Sequence, residues 1–259
     1  MEEIKNYLKS HESDMISLLE KLVAIRSVQG EAEVGYPFGR EPAAALECML
    51  EACGESGLTA RNIDNIMGEA DLGDAPILGI LTHLDVVPEG EGWSGEPYTL
   101  RFDADTRKLI GRGTIDDKGP AVAALYAVKA VKECGIPLKH GVRLIFGTNE
   151  ENGSADLVCY RMKRSLPDMV FTPDGEYPVI NGEKGMLRVY FSADYSGMAI
   201  RGGTVINAVP SSCTADGQEY RGTAAHASTP EKGVNAITDF LAHIEPRSDS
   251  VLSALAALF

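Results

Sequence analysis

Four short segments carry most of the side chains in this chain that can bind a cation or move a proton. They are Thr82-His83-Leu84-Asp85, Ile115-Asp116-Asp117-Lys118-Gly119, Thr148-Asn149-Glu150-Glu151 and Thr172-Pro173-Asp174-Gly175. His83 is a nitrogen ligand suited to zinc, and Asp85, two residues on, is placed to accept the other imidazole N–H and fix the tautomer. Asp116, Glu151 and Asp174 add carboxylate oxygens. Two cations about 3.5–4 Å apart need a shared anionic ligand, and Asp116 is the candidate bridge. Glu150 and Glu151 would repel each other in a pocket unless one binds metal and the other exchanges a proton. Glu151 as ligand and Glu150 as general base meet both needs. Each string alone has an ordinary reading: a turn pair, a solvated helix start, a helix cap, a Pro-Asp-Gly turn. Only the ordered set, each member at the end of a strand, makes them a site.

Those strands are legible as apolar runs. Ala75 to Leu84, Val142 to Gly147 and Met169 to Phe171 read as buried strands that end where the four segments supply their ligands. Helices are expected over Ile4 to Ile25, with a break near His11, and over Pro42 to Glu55, Gly119 to Glu133 and Ser154 to Arg164. Leu58 to Ile66 reads as a strand and turn, and Tyr98 to Leu109 as a hairpin around Asp103-Ala104-Asp105. This alternation predicts an α/β domain, whose ligands bind at the carboxyl ends of the strands. The pattern changes near Gly182 to Lys184, so a domain is expected over 1–182 and a second over 183–259. In the second part, Met186 to Phe191 reads as a strand and Asn235 to Ile244 as a helix.

Composition narrows the class. The 259 residues suffice for a packed core, and 44% of them are apolar. Lys plus Arg is 24 against 38 for Asp plus Glu, a net charge of −14, which argues against nucleic acid as partner. No apolar run reaches the roughly 18 residues of a membrane span, and Met1 to Ser10 lacks the apolar stretch of a signal peptide. Five cysteines without a Cys-x-x-Cys pair predict reduced thiols and a cytoplasmic protein.

At three of these segments the chain resembles the di-metal aminoacylase and dipeptidase superfamily. The residues that carry the resemblance are Leu81-Thr82-His83-Leu84-Asp85-Val86-Val87-Pro88, Gly111-Arg112-Gly113-Thr114-Ile115-Asp116-Asp117-Lys118-Gly119-Pro120 and Gly147-Thr148-Asn149-Glu150-Glu151. Phe38-Gly39, Gly92-Trp93, Arg201-Gly202-Gly203-Thr204 and Ala225-His226-Ala227-Ser228-Thr229-Pro230 are most similar to bacterial PepV-type dipeptidases. The resemblance implies a catalytic domain with a mixed central sheet flanked by helices, and a partial α+β lid domain. It implies two Zn²⁺ per site, or Mn²⁺ or Co²⁺ in their place. His83 and Asp174 would bind one metal, Asp116 would bridge, Glu151 would bind the other, and Asp85 would orient His83. Glu150 would be the general base, and the Asp116–Asp117 peptide would be cis. His226 would stabilise the oxyanion from the lid, and Asn207 would lie near the substrate.

The implied activity is hydrolysis of the amide bond of a dipeptide by metal-activated water. The alternatives are deacylation of a short N-acyl amino acid, of the desuccinylase or acetylornithine deacetylase kind, and a truncated chain that binds without turnover. The last follows from a departure. The family places a terminal histidine on the second metal, and none of His11, His140 and His243 lies in that context. The lid is also short, with compressed stretches at Tyr195 to Met198 and Ala215 to Gln218, as a fragment or a chain with loops removed would have. The sequence leaves oligomeric state open.

Overall fold

The chain begins with two amphipathic helices, α1 (Glu2–Ser10) and α2 (Glu12–Ala24), joined by a one-residue break at His11. His11 takes φ −111°, ψ 15°, stacks on Tyr7 and bonds through Nδ1 to the Tyr7 carbonyl oxygen. Then come α3 (Arg40–Glu55), β1 (Thr59–Ile63), β2 (Met67–Leu72), β3 (Pro76–His83), β4 (Arg101–Asp103), β5 (Lys108–Ile110), α4 (Lys118–Glu133), β6 (Gly141–Gly147), α5 (Ala155–Lys163) and β7 (Met169–Phe171). The computed structural model describes residues 1–90, 93–175, 178–182, 184–185, 187, 189–190, 192, 197–203, 206–243 and 250–257. These fall into two compact units, Met1–Ile180 and Asn181–Phe259.

The first unit is built on a five-stranded mixed sheet of order β1-β2-β6-β3-β7. β3 runs parallel to both β6 and β7, with His83 opposite Gly147 and Ile80 opposite Phe171. The carboxyl ends of these three strands therefore share one edge. The connection from β3 to β6 passes through the β4–β5 hairpin and α4. The small residues Ala121 and Ala124 on α4 let it approach the sheet, where Leu125 and Val128 join Leu22, Leu46, Met49, Leu144 and Phe146 in the core. Burying such side chains stabilises the unit by about 1.5–3 kcal/mol each.

β2 was not expected from the sequence. It pairs antiparallel with β1 and β6 and buries Glu69 and Asp71. Arg143 on β6 binds Asp71 through Nε at 2.7 Å and Glu69 through Nη1 at 3.1 Å. Arg61 and Arg164 also pair with Glu69, and the Tyr160 hydroxyl donates to it at 2.7 Å. Charged residues turned inward erase the apolar alternation by which a strand is recognised.

The second unit holds a small antiparallel sheet of β8 (Ile200–Gly202), β9 (Ser212–Ala215) and β10 (Gln218–Arg221), followed by α6 (Ala236–His243) and α7 (Ser250–Ala256). Cys213, Ala215, Ala236, Phe240 and Leu241 form its core. The stretch expected to be compressed at Ala215 to Gln218 is a tight hairpin. Asp216 and Gly217 take φ 45° and 83° there, the left-handed pair that a two-residue turn needs. The strand expected over Met186 to Phe191 includes Met186, Arg188 and Phe191, and the other compressed stretch includes Tyr195 and Ser196; all five lie outside the described residues.

Candidate metal centre

The shared edge of β3, β6 and β7 is where the candidate ligands meet. His83 ends β3, Glu150 and Glu151 lie on a 3-10 turn just beyond β6, and Asp174 lies just beyond β7. Asp116 comes from the loop before α4. The imidazole is buried, and its Nε2 is the focus of the cluster. Asp116 Oδ1 lies 2.9 Å from it, Asp174 Oδ2 3.4 Å and Glu150 Oε2 3.8 Å. His83, Asp116 and Glu151 each offer a ligand atom within 4.8 Å of the others, as do His83, Asp117 and Asp174.

Asp117 is the residue the sequence reading left without a role. It is fully buried; its Oδ2 accepts the His83 amide N–H at 3.0 Å, and its Oδ1 has no hydrogen-bond partner among the described residues. The Asp116–Asp117 peptide is cis; Asp116 meets His83 Nε2 while Asp117 meets the His83 amide. Sequence alone offers no signal for which of the pair turns inward. Lys118 follows, also buried, and donates to the carbonyl oxygens of Leu22 and Ile25 at 2.8 Å each, tying the end of α2 beneath the loop.

Asp85 is placed differently from expectation. The His83 Nδ1–H meets the backbone carbonyl oxygen of Asp85 at 3.0 Å, while the nearer carboxylate oxygen is 3.5 Å away. The carboxylate accepts the amide N–H groups of Glu150 and Glu151 instead, each at 3.1 Å. The extended backbone at the end of β3 brings its own carbonyl to the ring first. Asp85 thus holds both the histidine and the Glu150–Glu151 turn.

Burial would lower the His83 imidazolium's pKa, but hydrogen bonds to Asp116, Asp174 and Asp85 outweigh it and hold the pKa far above the ordinary histidine value. Asp116 is lowered by its bond to His83. The remaining acids are pushed up. Burial and then Asp116 bring Glu151 to about 7, and burial brings Asp117 to about 8. Glu150 is raised first by burial and then by Asp174, Asp85 and Asp116, against the opposing effect of His83. Carboxylates crowded around one imidazole have more negative charge than that ring can offset. One nitrogen and several hard oxygens form a donor set that fits divalent zinc, manganese or cobalt.

In the second unit, Asn207 and His226 are neighbours. Ala208 and His226 form an antiparallel bridge, and the Ala227 N–H donates to the Asn207 carbonyl oxygen at 2.8 Å. The Ser228 N–H donates to His226 Nδ1 at 3.2 Å, and the Ser228 hydroxyl lies 2.7 Å from the same nitrogen. The ring is exposed. His243 bonds back through Nδ1 to the Asp239 carbonyl oxygen of its own helix.

The fold and the histidine–carboxylate cluster make a candidate divalent-cation site on a mixed α/β sheet. The family model described as "Peptidase family M20/M25/M40" matches residues 79–249. YtjP of Bacillus subtilis (strain 168), provisionally named a dipeptidase, is 40% identical over 179 residues, 67% of this chain and 38% of its own length. The Beta-Ala-Xaa dipeptidase of Lactobacillus delbrueckii subsp. lactis is 37% identical over 191 residues, 73% of this chain and 40% of its own length. Human carnosine dipeptidase 1 shares the fold, with a TM-score of 0.58 at 24% identity over 68% of this chain and 41% of that one. The chain belongs to peptidase family M20/M25/M40. It spans about two fifths of the length of these relatives. Membership of this family implies use of a divalent metal.

Proposed function

We propose that the chain carries metal ligands and the general base of a dipeptidase, which hydrolyses the amide bond of a dipeptide. The observation that carries this reading is the convergence of Asp116, Asp174 and Glu150 on His83 Nε2, within 2.9 to 3.8 Å. His83, Asp174, Asp116 and Glu151 would hold two zinc ions, with Asp116 between them. Bound there, the metals would supply Lewis acidity that acidifies water and polarises the amide carbonyl. Glu150, not required as a ligand, receives the proton and returns it to the leaving amine. By the resemblance, His226 would donate to the developing oxyanion and Asn207 would lie near the substrate. The five free cysteines support a reducing, cytoplasmic setting. Among the described residues no helix is long and apolar enough to cross a membrane.

The test is a zinc titration of the metal-free chain together with assays on a free-amine dipeptide and its N-acetyl counterpart. Binding of about two zincs, with preference for the free amine, is expected. A chain that binds no divalent cation overturns the reading, and preference for the acetylated substrate reassigns it to deacylation.

A further inference from the structure

Four consecutive backbone amides, Thr148 to Glu151, donate to two carboxylates. Asp156 Oδ2 accepts the Thr148 N–H at 2.7 Å and the Asn149 N–H at 2.9 Å; Asp85 Oδ1 and Oδ2 accept those of Glu150 and Glu151, each at 3.1 Å. Asp156 Oδ1 takes a further amide, Leu157 N–H, at 2.7 Å. Both carboxylates are buried, Asp156 at 2% exposure and Asp85 at 0%. A buried carboxylate that accepts several amides is compensated by their dipoles in place of a counter-ion.

We propose that Asp156 is a positioning residue for the metal site, fixing through the backbone the peptide that carries Glu150 and Glu151. This rests on the reading of His83, Asp116, Glu151 and Asp174 as metal ligands. The turn that carries the two glutamates is only three residues long, Glu150–Asn152, and cannot set its own direction. Asp85 grips its amides at one end. Asp156 grips the link from β6 at the other, and the peptide between them is left one orientation. Gly147 makes room for this grip, because a Cβ there would lie 2.7 Å from Asp156 Oδ2. Neighbouring bonds hold the same link: Thr148 Oγ1 donates to the Ile66 carbonyl oxygen at 2.5 Å, and Asn149 Nδ2 donates to Gln29 Oε1 at 3.1 Å.

Loss of Asp156 frees the β6 side of the turn, so Glu151 no longer meets its cation at a fixed point. Partners that orient a ligand are worth about 10–100-fold in metal affinity. Asp174, beyond β7, is held independently of Asp156. The effect is therefore selective, which a general loss of folding would not be.

The experiment titrates zinc alone, and cobalt alone for its visible spectrum, into the metal-free chain by calorimetry. Wild type, Glu151→Gln, Asp174→Asn, Asp156→Asn and Gly147→Ala are compared at a temperature where circular dichroism shows each folded. Asp156→Asn is expected to weaken by about 10–100-fold the cation that Glu151→Gln weakens, and to leave the cation that Asp174→Asn weakens within about threefold. Gly147→Ala, which displaces the same carboxylate, shifts the same cation if Asp156→Asn does not fold. Wild-type affinity in both variants, or equal loss at both cations, overturns the positioning role. If wild type binds no cation, or Glu151→Gln binds like wild type, the ligand reading itself fails, a separate result.

Discussion

His83 Nε2 and Asp116 Oδ1 lie 2.9 Å apart, on segments separated by 33 residues of sequence. The contact joins the end of a sheet strand to the loop that opens α4, and it places an imidazole and a carboxylate on one point. A cation bound to both would be held by the sheet and by the crossover helix at once.

Asp116→Asn should therefore remove more than one ligand's worth of binding. Because the same carboxylate is proposed to bridge, the variant is expected to retain at most about one metal per chain, measured by plasma emission after gel filtration. Retention of wild-type metal content would move the bridge elsewhere, with Asp117 the next candidate.

Glu150→Ala separates proton transfer from metal binding. Turnover is expected to fall by about 10²–10⁴-fold while metal content stays that of wild type. Loss of metal would make Glu150 a ligand and reverse its assignment with Glu151.

His226→Ala tests the donor in the second unit. A drop in kcat of about 10²–10³-fold with unchanged zinc affinity is expected if its Nε2–H serves the oxyanion. An unchanged kcat would leave His226 as a surface residue bonded to Ser228.

The buried ion network gives a pH-dependent prediction. Burial alone would raise Glu69 and Asp71, but hydrogen bonds from Arg164 and Tyr160 to Glu69, and from Arg143 and Arg61 to Asp71, hold both below their ordinary values of 4.5 and 3.8. Groups depressed on folding contribute stability that is present above the unfolded pKa and lost as pH falls through the folded pKa. Arg143→Met should cost about 3–5 kcal/mol near pH 7, because it strands two buried carboxylates. In thermal melts the gap between variant and wild type should close as pH drops below about 4. A gap independent of pH would assign the loss to packing.

Gly119→Ala addresses the loop that carries Asp116. A Cβ at that position would meet the Thr114 carbonyl oxygen at 2.0 Å, a backbone atom that cannot swing away. The variant should lose about 3 kcal/mol or more and bind metal poorly, measured by urea denaturation and zinc titration. Near-wild-type values in both would show that the loop yields freely.

The strands that carry the site were legible because β3, β6 and β7 are apolar runs, each followed by a ligand, but β7, expected to be buried, is an exposed edge strand. β2 was not, because Glu69 and Asp71 point inward and find Arg143, Arg61 and Arg164 far away in sequence. The roles of Asp117 and Asp156 were hidden for another reason. Both act by accepting backbone N–H groups, and any residue supplies such a donor, so no neighbouring side chain marks the partner. Asp156 looks like an ordinary acid in the first turn of α5. Asp85 was identified as an orienting residue, but whether its carbonyl or its carboxylate reaches the ring depends on backbone direction, which residue identity does not encode.

The proposed ligands follow one another along the chain as His83, Asp116, Glu151 and Asp174, and the parallel pairing of β3 with β6 and β7 is what gathers them. On that reading Asp174 is the last of the four to be synthesised, and a chain halted before β7 would hold only the group of His83, Asp116 and Glu151.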